Sequence, residues 1–257
     1  MEEILEILMG EDRSGANSRV KHIIDATEDL WSRLPPQFRL NSRLKDYRGT
    51  MFERDFLLSV RLNYLHLKFL AGFVQMKSLT NASTDLLSIA EEILGLVVEG
   101  ILQRDQLANA GSGVVWKIAQ YGLPAAGVIL LATVRGWSPQ GNHVHPSFQV
   151  CRDLSLLAAE IQLGTVIRSG EPNFALLTTA GRTIQAFLES WESEMPRLAS
   201  DDCNRQAADP EGANTTLRMS PDPWNLEMGF WQDLGDLPFL GFENDDLHHE
   251  VNSRSGI

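Results

Sequence analysis

The chain has 257 residues, 34 acidic and 22 basic, and a formal net charge of −12. A chain this long buries a core as one large domain or two small ones. Its two cysteines, Cys151 and Cys203, lie far apart and suggest neither a disulfide framework nor a zinc site. The charge is uneven: residues 201–257 hold 12 acidic and 3 basic side chains, against 22 and 19 in residues 1–200. Phosphate backbones should repel such a chain, so no direct contact with nucleic acid is expected.

The first ten residues are acidic and helix-forming, unlike the positively charged start of a secretory signal. The longest apolar stretch, residues 121–134, is interrupted by Pro124 and falls short of the roughly 18 uncharged residues of a membrane span. The expectation is a soluble, intracellular protein with no membrane partner. Without a secretory signal, Asn81-Ala82-Ser83 and Asn214-Thr215-Thr216 are chance matches to the glycosylation pattern.

In chain order the reading is all-α, a multi-helix bundle. Trp31, Leu34, Pro35 and Pro36 form a Trp-x-x-Leu-Pro-Pro segment ahead of a long helix. That helix carries one stripe of Phe56, Val60, Tyr64, Leu67, Ala71 and Val74, and a second of Leu58, Leu62, Leu65, Phe69 and Phe73. Two apolar faces predict packing on both sides, at the centre of the body. Residues 85–107 form the next helix, with Ser83 or Thr84 as its cap. Its inner side carries Leu86, Ile89, Ile93, Leu96, Val97, Gly100 and Ile101.

Gly111, Ser112 and Gly113 read as a turn, without the lysine or preceding strand of a phosphate loop. A very apolar helix over 115–135 should kink or break near Gly122, because Pro124 removes a donor. Residues 137–146 read as a loop, with Pro146 in the first turn of a helix that faces inward with Leu154, Leu157, Ala158, Ile161 and Leu163. A last helix over 174–195, with Leu177, Ile184, Phe187, Leu188 and Trp191 inside, should end at Pro196. The organisation is a helical domain over 1–196, a flexible linker over 197–222 and an acidic aromatic tail over 223–257.

The segment Trp31, Leu34, Pro35, Pro36 followed by Leu62, Tyr64, Leu65 and His66 resembles the regulatory middle homology region of fungal zinc-cluster transcription factors. The resemblance continues through residues 116–134 and a Cys-Arg-x-Leu helix start at Cys151, covering roughly residues 29–195. It implies a transcriptional regulator rather than an enzyme, working in the nucleus, with a small-molecule effector in some members. The six-cysteine cluster and basic linker of that family are missing here. The chain therefore looks like the C-terminal part of such a factor, either a truncated paralogue or an incomplete gene prediction. Its DNA contact would come from an upstream segment or from a related zinc-cluster factor, as would nuclear import, since no basic run is visible.

One functional signal stands apart from the resemblance. Trp224, Leu226, Phe230, Trp231, Leu234, Leu237, Phe239, Leu240 and Phe242 are interleaved with Glu227, Asp233, Asp236, Glu243, Asp245 and Asp246. Such a mixture describes an amphipathic activation segment, whose charges keep apolar groups solvated until a coactivator groove accepts them as a helix. The candidate partner-binding residues are Trp224, Phe230, Trp231, Leu234, Leu237, Phe239, Leu240 and Phe242. A second reading folds residues 230–242 back onto the body, and the two can coexist. The body would then set activity by binding a small molecule or by masking the tail.

Other chemistry is thin. His143-x-His145 lacks a neighbouring carboxylate or cysteine at ligand spacing, and His248 and His249 mean less. His66 reads as a core or groove residue. Asp201 and Asp202 suggest the aspartate-rich motif of helical prenyl-converting enzymes, but Arg205 and Gln206 stand where a further carboxylate is needed. No nucleophile elbow and no usable cysteine–histidine pairing occurs. No catalytic residue, metal ligand or cofactor is expected. The alternatives are a co-regulator that pairs with a full-length relative and, from another class, a helical small-molecule-converting enzyme.

Overall fold

The computed structural model describes residues 16–75, 84–134 and 146–205, with side chains to Trp191 in the last of these. The architecture is all-α, and no strand occurs among the described residues. The helices are α1 (Ala16–Arg33), α2 (Met51–Gln75), α3 (Thr84–Leu102), α4 (Ser112–Lys117), α5 (Leu123–Val134), α6 (Phe148–Gln162) and α7 (Phe174–Arg205). Short 3-10 turns at Pro36–Phe38, Leu44–Asp46 and Arg104–Gln106 join them, and a π-helical turn, Ile118–Gly122, links α4 to α5.

Helix α2 begins where a capping box places it. The Thr50 backbone N–H donates to Glu53 Oε2 at 2.7 Å, and the Glu53 N–H donates back to Thr50 Oγ1 at 3.2 Å. The Thr50 N–H and the Thr50 hydroxyl, both donating to Glu53 Oε2, hold the Glu53 carboxyl below its usual range. Because α2 starts there, Met51 and Phe52 fall in its first turn and Phe56 one turn later.

The centre of the body is α3, not α2 as the apolar stripes suggest. Helix α3 packs against α2, α5, α6 and the π turn, whereas α2 packs between α1 and α3. Buried residues Leu86, Ala90, Ile93, Leu94, Val97, Val98, Gly100 and Ile101 wrap more than one face of α3. Small residues let neighbours come close: a Cβ on Gly100 would stand 3.0 Å from Leu58 Cδ2. Of the two stripes on α2, Leu58, Leu62, Leu65 and Phe69 are buried, but Phe56 is 51% exposed.

Pro124 neither ends the apolar helix nor breaks it. The Leu123 N–H donates to the Ile118 carbonyl, five residues back, so the wider π turn accommodates a proline that has no N–H and whose ring would crowd the Gln120 carbonyl. Residues Leu123 to Thr133 are buried almost throughout. Contrary to the sequence expectation, Ser112–Thr133 is by length and composition apolar enough to cross a membrane, with a hydropathy of 1.5. The helical body buries 89% of that window, so its apolarity serves the core.

Several boundaries differ from the sequence reading: α3 ends at Leu102 rather than 107, and Ser112 and Gly113, expected in a turn, begin α4. Helix α6 starts at Phe148, because Ser147 caps it by accepting the Val150 N–H at 3.2 Å; Pro146 lies just outside and Cys151 a turn inside. Leu163, expected inward, is 73% exposed where α6 ends. Helix α7 continues through Pro196 to Arg205, so residues 197–205 are helical rather than linker. The rest of the expected linker, and the whole tail, lie outside the described residues.

Candidate functional site

The residues that carried the family resemblance meet in space, and they do structural work. The Trp31 and Tyr64 rings stack with centroids 4.2 Å apart and planes 21° from parallel, joining α1 to α2. The Arg61 guanidinium lies 5.1 Å from the Trp31 ring and 5.3 Å from the Tyr64 ring, and it also pairs with Glu92 on α3. Lys68 pairs with Glu28 at 2.9 Å beside them. His66 is buried, edge-on to Tyr121 at 5.0 Å, and loss of solvent lowers its pKa to about 4, leaving it neutral at pH 7. Tyr121 donates to Asn63 Oδ1 at 2.8 Å, and burial pushes its hydroxyl up to about 12.

The surface residues with potential for recognition were not expected from the sequence, where Phe56 was read as part of a packed stripe and the others were not singled out. Phe38, Met51, Phe52 and Phe56 are all exposed, Phe52 by 77%. Phe52 and Phe56 share a helix face one turn apart, and the Phe38 ring meets Phe56 edge-on at 6.0 Å. Basic residues surround this aromatic face in the sequence. Residues 33–52 hold Arg33, Arg39, Arg43, Lys45 and Arg48 against one acid, Asp46.

Arg33 is paired with Asp29 at 2.8 Å, and Arg39 donates to the Leu34 and Ser32 carbonyls. Arg43, Lys45 and Arg48 are exposed and make no side-chain ion pair with another described residue. The signal that could have found this face is local. Five basic residues to one acid precede Met51-Phe52-x-x-x-Phe56, but a count over residues 1–200 averages them away.

Next to that face, Asp55 and Ser59 of α2 line an open cleft of about 860 Å³. Trp116 and Lys117 of α4 form another wall, and Arg168 and Asn173, before α7, close it. Lys117 Nζ stands 2.9 Å from Asp55 Oδ1, with both side chains largely buried. That pair locks α4 to α2 at the cleft floor, while Trp116 stays 52% exposed. Among the described residues no three His, Cys, Asp or Glu side chains gather in a set that could hold a metal ion.

The eight tail residues singled out from the sequence, Trp224, Phe230, Trp231, Leu234, Leu237, Phe239, Leu240 and Phe242, lie outside the described residues, as do His143, His145, His248 and His249. Asp201 and Asp202 lie in α7. No protein-family model matches the chain, and no curated protein or solved structure matches it either.

Proposed function

We propose that this chain is a transcriptional regulator of the fungal zinc-cluster kind that works through protein contacts in the nucleus. Its helical body is a recognition domain, and residues 224–242 are the segment that transcriptional coactivators take up. It reaches DNA through a related zinc-cluster factor or an upstream segment. The observation that carries the reading is the exposed aromatic face of Phe38, Phe52 and Phe56, with the exposed cations Arg43, Lys45 and Arg48 in the segment between Phe38 and Phe52. Exposed aromatic clusters of this kind favour protein interfaces.

The test is a reporter. Residues 221–247 fused to an unrelated DNA-binding domain should activate transcription at least tenfold over that domain alone. Trp231→Ala combined with Phe239→Ala should return it to background. A well-expressed fusion that stays silent would sink the activation reading.

A second role, binding of a small-molecule effector, is favoured by the cleft around Asp55, Trp116 and Lys117, whose volume lies within the usual range for small-molecule sites. A metabolite that raises the melting temperature of the purified chain, and loses that effect with Trp116→Ala, would support it.

A further inference from the structure

Phe38, Phe52 and Phe56 form the most aromatic exposed surface among the described residues, and no other described aromatic ring covers it. We propose that its occupant is a segment of the same chain, residues 224–246, which docks there as an intramolecular ligand. The inference rests on reading that segment as an interaction element.

Composition is the first argument. The face is phenyl and thioether surface on a stretch, residues 33–56, with six bases and three acids. Residues 224–246 hold Trp224, Phe230, Trp231, Phe239 and Phe242 with six acids and no base. Aromatic surface on each side would leave water together, while Asp233, Asp236 and Glu243 would find the exposed Arg43, Lys45 and Arg48 in the segment between Phe38 and Phe52. Such peripheral charges set register and selectivity more than affinity. The opposition also holds at larger scale, since residues 16–75 carry ten basic and six acidic side chains in a chain of net charge −12.

Connectivity is the second argument. Helix α7 runs to Arg205, and the 18 residues between Arg205 and Trp224 span at most about 60 Å when extended. A folded body of this size is roughly 40 Å across. The path around half of such a body is about 60 Å, so the segment reaches most of the surface. Tethering holds it at an effective concentration of order mM, so a weak contact fills the face in cis long before a free partner at micromolar concentration competes. A nucleic acid offers negative charge and stacking surface too, but would meet the net negative charge of the whole chain.

The full-length chain tests this directly. The photoreactive residue p-benzoyl-phenylalanine is placed at position 52 and, as a control, at the equally exposed position 148 on the start of α6. Irradiation of the purified protein at low micromolar concentration should cross-link position 52 to residues 224–246 within the monomer. The yield should not change on tenfold dilution, and Arg43→Glu with Arg48→Glu should cut it at least threefold. Position 148 should not capture the segment.

Equal capture from both positions, capture elsewhere in the chain, or no capture at all would overturn the proposal. A dimer band whose yield falls on dilution would assign the face to a second copy instead. Failure is distinguishable from failure of the functional reading: a silent reporter with the cross-link present removes activation but leaves docking, and the reverse pattern removes docking alone.

Discussion

Burial makes His66 a residue through which pH acts on this body. An unfolded histidine titrates near 6.5 and this one near 4, so between those values the unfolded state binds more protons and stability rises with pH. The contribution is complete above about pH 6.5 and is lost as pH falls toward 4. Between pH 7 and pH 4.5 this group should cost about 2–3 kcal/mol, read as the change in urea-unfolding free energy. His66→Leu should remove that part of the acid sensitivity. An unchanged pH profile in the variant would show that His66 is not its source.

Lys117 and Asp55 work in the opposite sense, as a charged pair retained in a largely buried place. Removing one partner strands the other, so Lys117→Ala should destabilise by roughly 3 kcal/mol in chemical denaturation. Replacing both, as Lys117→Met with Asp55→Leu, should recover most of the loss. A double variant as unstable as the single one would mean that the cleft needs these charges for another reason. The residues of the Trp31–Tyr64 stack were visible in the sequence as a resemblance, yet their partnership with Arg61 was not. A cation over two stacked rings from different helices is assembled by the packing of those helices, and no spacing rule encodes it.

At the scale of elements, periodicity located α2, α3, α5, α6 and α7, and missed where neighbouring chemistry overrode it. Ser147 moved the start of α6, and α7 ran on past Pro196. The π turn shows the same limit. Pro124 announced a disturbance near Gly122, but whether the helix would end, kink or widen depended on what lay beside it. There Val97 of α3 stands so close that a Cβ on Gly122 would be 3.0 Å from its Cγ1. Both residues are buried, so Gly122→Ala should cost about 1–3 kcal/mol, read in thermal or denaturant unfolding. Val97→Ala should offset part of that cost when combined with it. A neutral Gly122→Ala would mean that the π turn shifts freely against α3.

For the whole molecule, charge separation is the organising feature: bases cluster before and within α2, and acids follow α7. If the tail sits on the aromatic face, the full-length chain fused to an unrelated DNA-binding domain should activate the reporter less than residues 221–247 alone. Phe52→Glu with Phe56→Glu should abolish that difference, measured at matched expression.

What the sequence by itself determined is the helical class, the core stripes and the acidic aromatic character of the tail, because these depend on local periodicity and composition. Which helix is central, that Phe56 alone of its apolar stripe stays bare, and that Phe38 joins Phe52 and Phe56 on one face were decided only by tertiary structure. An amphipathic pattern states that a face is apolar. Whether another helix covers that face or leaves it exposed depends on how the remaining helices fill the space around α3.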